Sequence, residues 1–306
     1  MPTAMATACT TTRHDSPFEV GNDAAYRAWR DEKLIDYPAR VDELVVDVSD
    51  PRALTSAEKA AILARVRKTN MALYASKVRD ADKNILRLLG GQFGLLRLDQ
   101  NMLADDDGIT QVRVADANTG AAQHYIPYTN RPLNWHTDGY YNSPARRIQA
   151  MLLHCVCDGV SGGENAFMDP EMAYLLLRDK NPGYVRALMR PDAMTIPARE
   201  DDDGVARGAQ SGPVFAIDPH SGALHMRYTA RTRSIEWRQD ASTQAAVATL
   251  AQLLNSGSPY IFRMALKPGM GILSNNVLHD RAGFADDATH RRLLYRARYL
   301  DSVGSS

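Results

Sequence analysis

In the segment LNWHTDGYYN a histidine and an aspartate stand two residues apart. On an extended backbone side chains alternate, so His136 and Asp138 point to one side while Thr137 points away. One imidazole and one carboxylate then converge on a point. A His-x-Asp pair is common in surface loops by chance, so the pair needs a third donor before it implies a metal. His279, at the end of the apolar run GILSNNVLH, is the strongest candidate. Two imidazoles and one carboxylate make a facial triad suited to Fe(II), with open positions of the kind that oxygen chemistry requires. The other histidines have plainer readings. His154 lies beside Cys155 in a buried strand, His225 in a hairpin, His124, His220 and His290 in loop-like sequence, and His14 near the start. His154 and His225 stand as fallback third ligands.

Downstream of His279 comes RRLLYRARYL, where strand alternation sets Arg292, Leu294, Arg296 and Arg298 on one face and Arg291 on the other. Arginines do not face a core without partners, so an inward ladder beside a metal implies an anion, and a guanidinium fork matches a carboxylate. The competing reading is a solvated edge strand. A second motif, Gly159-Val160-Ser161-Gly162-Gly163, fits G-x-S-x-G and raises a serine hydrolase using Ser161 as a rival. That nucleophile needs a helix immediately after it, whereas ENAFMD is extended in character and Pro170 delays the helix. The glycines allow a tight turn instead.

The elements that must position these residues divide the chain into a helical N-terminal third and a mainly β remainder. Apolar residues at three- and four-residue spacing predict helices over about Ala24 to Lys33 and Ser56 to Ser76, the second capped by Thr55 or Ser56. A third is expected over Asp80 to Leu89, stopped by Gly90-Gly91. GITQVRV, HYIPY and RRIQAMLLHCVC read as strands, Pro170 to Asp179 and Pro182 to Met189 as short helices, and Asp201 to Ser211 as an acidic loop able to move. GPVFAID and ALHMRYTA form a hairpin pattern across PHSG. A helix over about Ser242 to Leu254 precedes two last strands, FRMALKPGMGILSNNVLH and RRLLYRARYL.

Composition narrows the function classes. With 306 residues and 44% hydrophobic content, one domain over 1–306 is expected: 1–16 disordered, 17–95 mainly helical, 96–306 the β core with helical insertions. Lys+Arg and Asp+Glu are both 36, so no nucleic-acid footprint or steering toward an anionic membrane is expected, and a small-molecule substrate is the default partner. Three cysteines, two of them on one strand face at Cys155 and Cys157, suit a reducing cytoplasm. No apolar run is long enough to span a membrane.

Taken together, WHTD, GGENAF, the PVFAIDPHSGALHMRY hairpin, and NNVLHDRAGF followed by RRLLYR resemble the taurine dioxygenase-like family of Fe(II)/2-oxoglutarate enzymes, within the clavaminate synthase-like superfamily. The chain is also similar to γ-butyrobetaine hydroxylase, and the resemblance runs from about Tyr125 to Asp301. It implies an α+β fold with a mainly β core, a double-stranded β-helix or jelly-roll with flanking helices. It implies iron on His136, Asp138 and His279, with 2-oxoglutarate and O2 as co-substrates and Arg292 on the distal carboxylate of 2-oxoglutarate. Asn165 falls where the family has a threonine that also touches 2-oxoglutarate, and an amide can donate the same hydrogen bond. The implied reaction hydroxylates an unactivated C–H of a small polar substrate, with release of succinate and CO2. Related halogenases replace the carboxylate by a small residue, and here Asp138 is present. Arg296 matches the position that holds the sulfonate in taurine dioxygenases, while Tyr140 and Tyr141 could belong to an aromatic cage for a trimethylammonium group. Sulfonate, carboxylate, betaine and amino-acid substrates all stay open, as does a homo-oligomer paired through helices outside the barrel. Two further readings are a 2-oxoglutarate-independent non-heme iron oxygenase and a noncatalytic jelly-roll binding module; Arg292 favours the 2-oxoglutarate enzyme over both.

Overall fold

The computed structural model describes residues 16–100, 107–115, 125–201, 204–231, 233 and 235–304. The expected disordered start up to residue 15, with His14, and also His124, lie outside the described residues. Ser16, assigned above to that stretch, is buried, and its hydroxyl lies 3.4 Å from the Gly222 carbonyl.

Two antiparallel-built sheets face each other as the expected jelly-roll. The larger has six strands in the order Val45–Asp47, Met71–Ala75, Met270–Ser274, Ala150–Cys157, Leu293–Tyr299 and Thr110–Val112, with only the first pair parallel. The smaller has four, Phe262–Met264, Asn165–Met168, Leu278–Arg281 and Leu133–His136. Leu73, Leu153, Cys155, Ile272 and Leu294 from the larger sheet meet Phe167 and Phe262 from the smaller in one buried cluster. That layer excludes water from between the sheets, which is what alternating strands with two apolar inner faces do.

Helices cover both outer faces. Helix α1 spans Asp23–Leu34, α2 Ser56–Thr69, α3 Asn84–Gln92, α4 Pro170–Lys180, α5 Pro182–Leu188 and α6 Ala241–Leu254. α2 and α3 bury Ile62, Val66, Leu86 and Leu89 against Tyr74, Leu152, Tyr295 and Tyr299 of the larger sheet. α4, α5 and α6 pack with Met168, Leu278 and Trp135 of the smaller one. Caps fix their starts: Thr55 and Glu58 form a reciprocal capping box on α2, and Asp169 accepts from the Glu171 amide with Pro170 opening α4.

Several expected boundaries move. The run Ser56 to Ser76 is not one helix: Asn70 takes φ +57 after Thr69, and MALYA becomes an interior strand buried on both faces. A wholly buried strand carries no alternation, so its apolar run is indistinguishable from a helix by period. The third helix starts at Asn84 and runs through Gly90 and Gly91 to Gln92. Within HYIPY, Ile126–Tyr128 form a 3-10 turn rather than a strand. The span from Phe262 divides into three strands, broken at Pro268-Gly269 and Asn275-Asn276. The acidic stretch after Pro197 contains the short strands Arg199–Asp201, Gly204–Arg207 and Gln210–Gly212. No described helix is long and apolar enough to cross a membrane.

Candidate active site

Register in the smaller sheet sets the first two donors. His279 lies directly opposite His136 on the adjacent antiparallel strand, and the ring centroids are 4.2 Å apart. Each Nδ1 faces the carbonyl oxygen two residues earlier in the chain, Asn134 at 2.9 Å and Val277 at 3.0 Å. A carbonyl can only accept, so Nδ1 carries the proton and Nε2 keeps its lone pair, the tautomer a metal ligand needs. Burial, and then the neighbouring His279, push the His136 imidazolium down to about 3, so this ring is neutral at ordinary pH.

The third donor arrives by a turn. The strand ends at His136, Thr137 points away and accepts the Tyr228 amide on its hydroxyl, and Asp138 turns back before Gly139. Gly139 has φ +67, and a Cβ there would sit 2.3 Å from Ile148 Cγ1, so both conformation and space require glycine. One donor atom each from His136, Asp138 and His279 fall within 4.8 Å of one another, all three residues buried. Asp138 Oδ2 is buried with no hydrogen-bond partner, while Oδ1 lies 3.2 Å from Arg296 Nη1. Burial opposes its charge, but Arg296, Arg298 and the two imidazoles outweigh that, and the carboxyl is held below the usual carboxylate range. An ionised carboxylate with an unclaimed buried oxygen, facing two imidazoles whose Nδ1 atoms are turned to backbone carbonyls, fits a divalent cation such as Fe(II).

Arg292, just before the strand Leu293–Tyr299, is 5% exposed. Phe284 lies under its guanidinium at 5.0 Å, and Gly163, at φ +73, leaves room where a Cβ would approach Nε to 3.0 Å. Its backbone N–H donates to Asp286, but no hydrogen bond or ion pair among the described residues engages the guanidinium. Burial lowers its pKa. A buried cation left in this state suits a carboxylate guest. Asn165, also buried, donates from Nδ2 to the Asp280 carbonyl across the strand pair, and its Oδ1 has no partner.

The other expected residues lie around this cluster or apart from it. Arg296 Nη1 lies 3.2 Å from Asp138 Oδ1, and its Nε is buried without a partner. Tyr140 and Tyr141 meet edge to face at 5.1 Å and 82°. The Tyr140 ring stands 6.4 Å from His136, whereas the Tyr141 hydroxyl accepts from Arg298, itself paired with Asp99. Neither fallback ligand joins the cluster. His154 Nδ1 is 2.9 Å from the Tyr74 hydroxyl, and His225 Nε2 is 3.3 Å from the Ile148 carbonyl. Ser161 is exposed in a two-residue strand paired with Phe284–Ala285, with no helix behind it, so the nucleophile elbow is absent.

Two features were not foreseen from the sequence. Asn276 binds the Asp138 peptide, and its only trace was an Asn-Asn pair interrupting an apolar run. A cleft also borders the Asp138 turn, with Tyr140, Arg147, Ser211, His225 and Arg227 in its lining.

The family model for the taurine catabolism dioxygenase TauD, TfdA family matches residues 36–298. The chain belongs to this family. Fe(II) and 2-oxoglutarate are the cofactor and co-substrate of such dioxygenases, and the donor set above fits them. Among curated relatives, a uridine-5'-phosphate dioxygenase from Amycolatopsis sp is 28% identical over 177 residues, 56% of this chain and 62% of that protein, so just under two thirds of the relative is spanned. An asparagine oxygenase solved with Fe(II), 2S,3S-3-hydroxyasparagine and succinate superposes with a TM-score of 0.58 at 15% identity, covering 82% of this chain and 81% of its own. A taurine dioxygenase from Burkholderia xenovorans gives 0.53 at 17%, covering 83% and 85%. These structural likenesses establish the jelly-roll fold of this TauD-family chain.

Proposed function

We propose that this TauD-family chain is a dioxygenase that hydroxylates an unactivated C–H bond of a small anionic substrate, consuming 2-oxoglutarate and O2 and releasing succinate and CO2. The observation that carries it is the buried His136, Asp138 and His279 cluster on the same jelly-roll as a buried, unengaged Arg292. Iron with bound 2-oxoglutarate supplies the activation of O2. The chain supplies the rest. His136 and His279 offer Nε2 because their Nδ1 protons are committed to backbone carbonyls. Asp138 offers the oxygen that Arg296 does not hold. Arg292 anchors the distal carboxylate of 2-oxoglutarate through its fork, and Asn165 orients beside it with the N–H that the Asp280 carbonyl leaves free.

An anionic substrate is favoured by the cleft beside Asp138. Arg227 there spends its donors on the carbonyls of Tyr140, Met194 and Gln210, but no hydrogen bond or ion pair among the described residues engages half-buried Arg147. A relative's name points the same way, since uridine 5'-phosphate is an anion. A betaine cage is less well supported, because Tyr141 already serves Arg298. We place 17–95 and 96–306 in one oxygenase domain, since the strand Met71–Ala75 lies between Val45–Asp47 and Met270–Ser274. The free thiols of Cys155 and Cys157 suit the cytoplasm.

The test is succinate release by iron-loaded protein with 2-oxoglutarate and O2 across phosphate monoesters, sulfonates, carboxylates, betaines and amino acids. Stimulation by an anionic compound with a product one oxygen heavier is expected, and Arg147→Ala should raise KM for that compound about tenfold while leaving KM for 2-oxoglutarate unchanged. Stimulation by betaines alone would contradict the anionic assignment, and no 2-oxoglutarate turnover at all would contradict the reaction.

A further inference from the structure

We infer that Asn276 is a positioning residue that holds the Asp138 carboxylate in place against His279. The inference rests on the metal-binding reading of His136, Asp138 and His279 proposed above.

The need for such a residue follows from the strand's end. Hydrogen bonding between the His136 and His279 strands stops at His136, so the peptide of Asp138 lies beyond the ladder although the residue is 5% exposed. A buried N–H and C=O without partners would each cost about 1–3 kcal/mol. Asn276 takes both. Its Oδ1 accepts from the Asp138 N–H at 2.8 Å, and its Nδ2 donates to the Asp138 carbonyl at 3.0 Å. The other Nδ2 proton goes to the Ile148 carbonyl at 2.9 Å. One carboxamide thus continues the ladder by a residue, and ties it to the segment whose Ile148 side chain closes over Gly139.

The residue type is also selected by backbone. Asn276 has φ +49, a left-handed conformation that asparagine tolerates better than other residues with a Cβ. It is 3% exposed and stands three residues before His279 in the same connection. Any shift of the His279 strand is therefore passed to Asp138 through two hydrogen bonds, and the donors keep their spacing. Asn276 touches the main chain of a ligand rather than the metal, which is why its effect is on geometry. Its neighbour Asn275 does a different job. It donates to the Asn70 side chain and accepts the Val303 amide, away from Asp138.

The experiment compares wild type, Asn276→Gly, Asn276→Asp and Asn275→Ala. Glycine keeps the left-handed backbone at no strain and removes only the hydrogen bonds; aspartate keeps the shape but sets an acceptor against two carbonyls. Fe(II) dissociation constants, the anaerobic absorption of the Fe(II)–2-oxoglutarate complex, and Tm are measured on each. Asn276→Gly and Asn276→Asp should weaken Fe(II) binding about tenfold or more and shift or weaken the absorption band, as losses of hydrogen-bond partners around ligands do. Asn275→Ala should lower Tm and leave both metal readouts unchanged. Wild-type Fe(II) affinity with an unaltered band in either folded Asn276 variant would overturn the inference, as would an equal loss of affinity in Asn275→Ala. If wild type binds Fe(II) but gives no band with 2-oxoglutarate, the proposed reaction fails while the Fe(II) constants still decide the role of Asn276. If wild type binds no Fe(II), both fall.

Discussion

At Arg292 a single side chain separates a 2-oxoglutarate enzyme from other users of a facial triad. Its guanidinium is buried over Phe284, and no described carboxylate hydrogen-bonds or ion-pairs with it, Asp286 engaging the Arg292 backbone N–H instead. Arg292→Ala should raise KM for 2-oxoglutarate about a hundredfold, from the loss of two charge-assisted hydrogen bonds, while Fe(II) affinity holds. Arg292→Lys should recover only part of it, since an ammonium is a point charge rather than a fork. Steady-state kinetics in 2-oxoglutarate check both, and an unchanged KM in the alanine variant would remove the proposed role. The His-x-Asp spacing and the arginine alternation were visible in the sequence because each depends only on strand period. The pairing of Arg296 with Asp138 was not, because alternation places a side chain on a face and says nothing of what stands opposite. The same limit hid Asn276, whose partners are 138 and 128 positions away in sequence.

Among the elements, the strands of the smaller sheet and the turn after His136 carry the site. His136 and His279 meet because register makes them a cross-strand pair, and a slip of one residue in either strand would send its ring to the other face. The turn depends on Gly139. Gly139→Ala should cost at least about 1–2 kcal/mol for the left-handed conformation alone, with further loss from the contact to Ile148. Urea unfolding measures the loss, and Gly139→Ala with Ile148→Ala should recover the contact but not the backbone part. Equal stability of Gly139→Ala and wild type would show that the turn is not held as described. Elements with a clean period or strong caps, such as α4 and α6, were legible within a residue or so. MALYA was not, because an interior strand of a covered sheet has no polar face to reveal its period.

For the molecule as a whole, layered burial sets the pH response. His154 is fully buried beside Tyr74, and burial, with a smaller effect of Arg79, lowers its pKa from 6.5 to about 4. Below 6.5 the unfolded chain takes up a proton that the folded chain refuses until about 4, so stability falls as pH falls through that window. The full effect is about 3 kcal/mol. His154→Gln should therefore narrow its stability gap to wild type on going from pH 7 to pH 4, measured by chemical denaturation at each pH. A constant gap would show that His154 is not a neutral buried ring. The jelly-roll itself was readable from motifs spread over the second half of the chain, whereas the entry of the 45–47 and 71–75 strands into the larger sheet was not, being a long-range pairing.

The most direct test of the account is an anaerobic optical titration of the apo-protein with Fe(II) and then 2-oxoglutarate, in wild type and in His279→Ala. A visible metal-to-ligand charge-transfer band that saturates with 2-oxoglutarate in wild type and is lost in His279→Ala is expected. A folded, iron-loaded wild type that shows no band, or a band that survives His279→Ala unchanged, would contradict it.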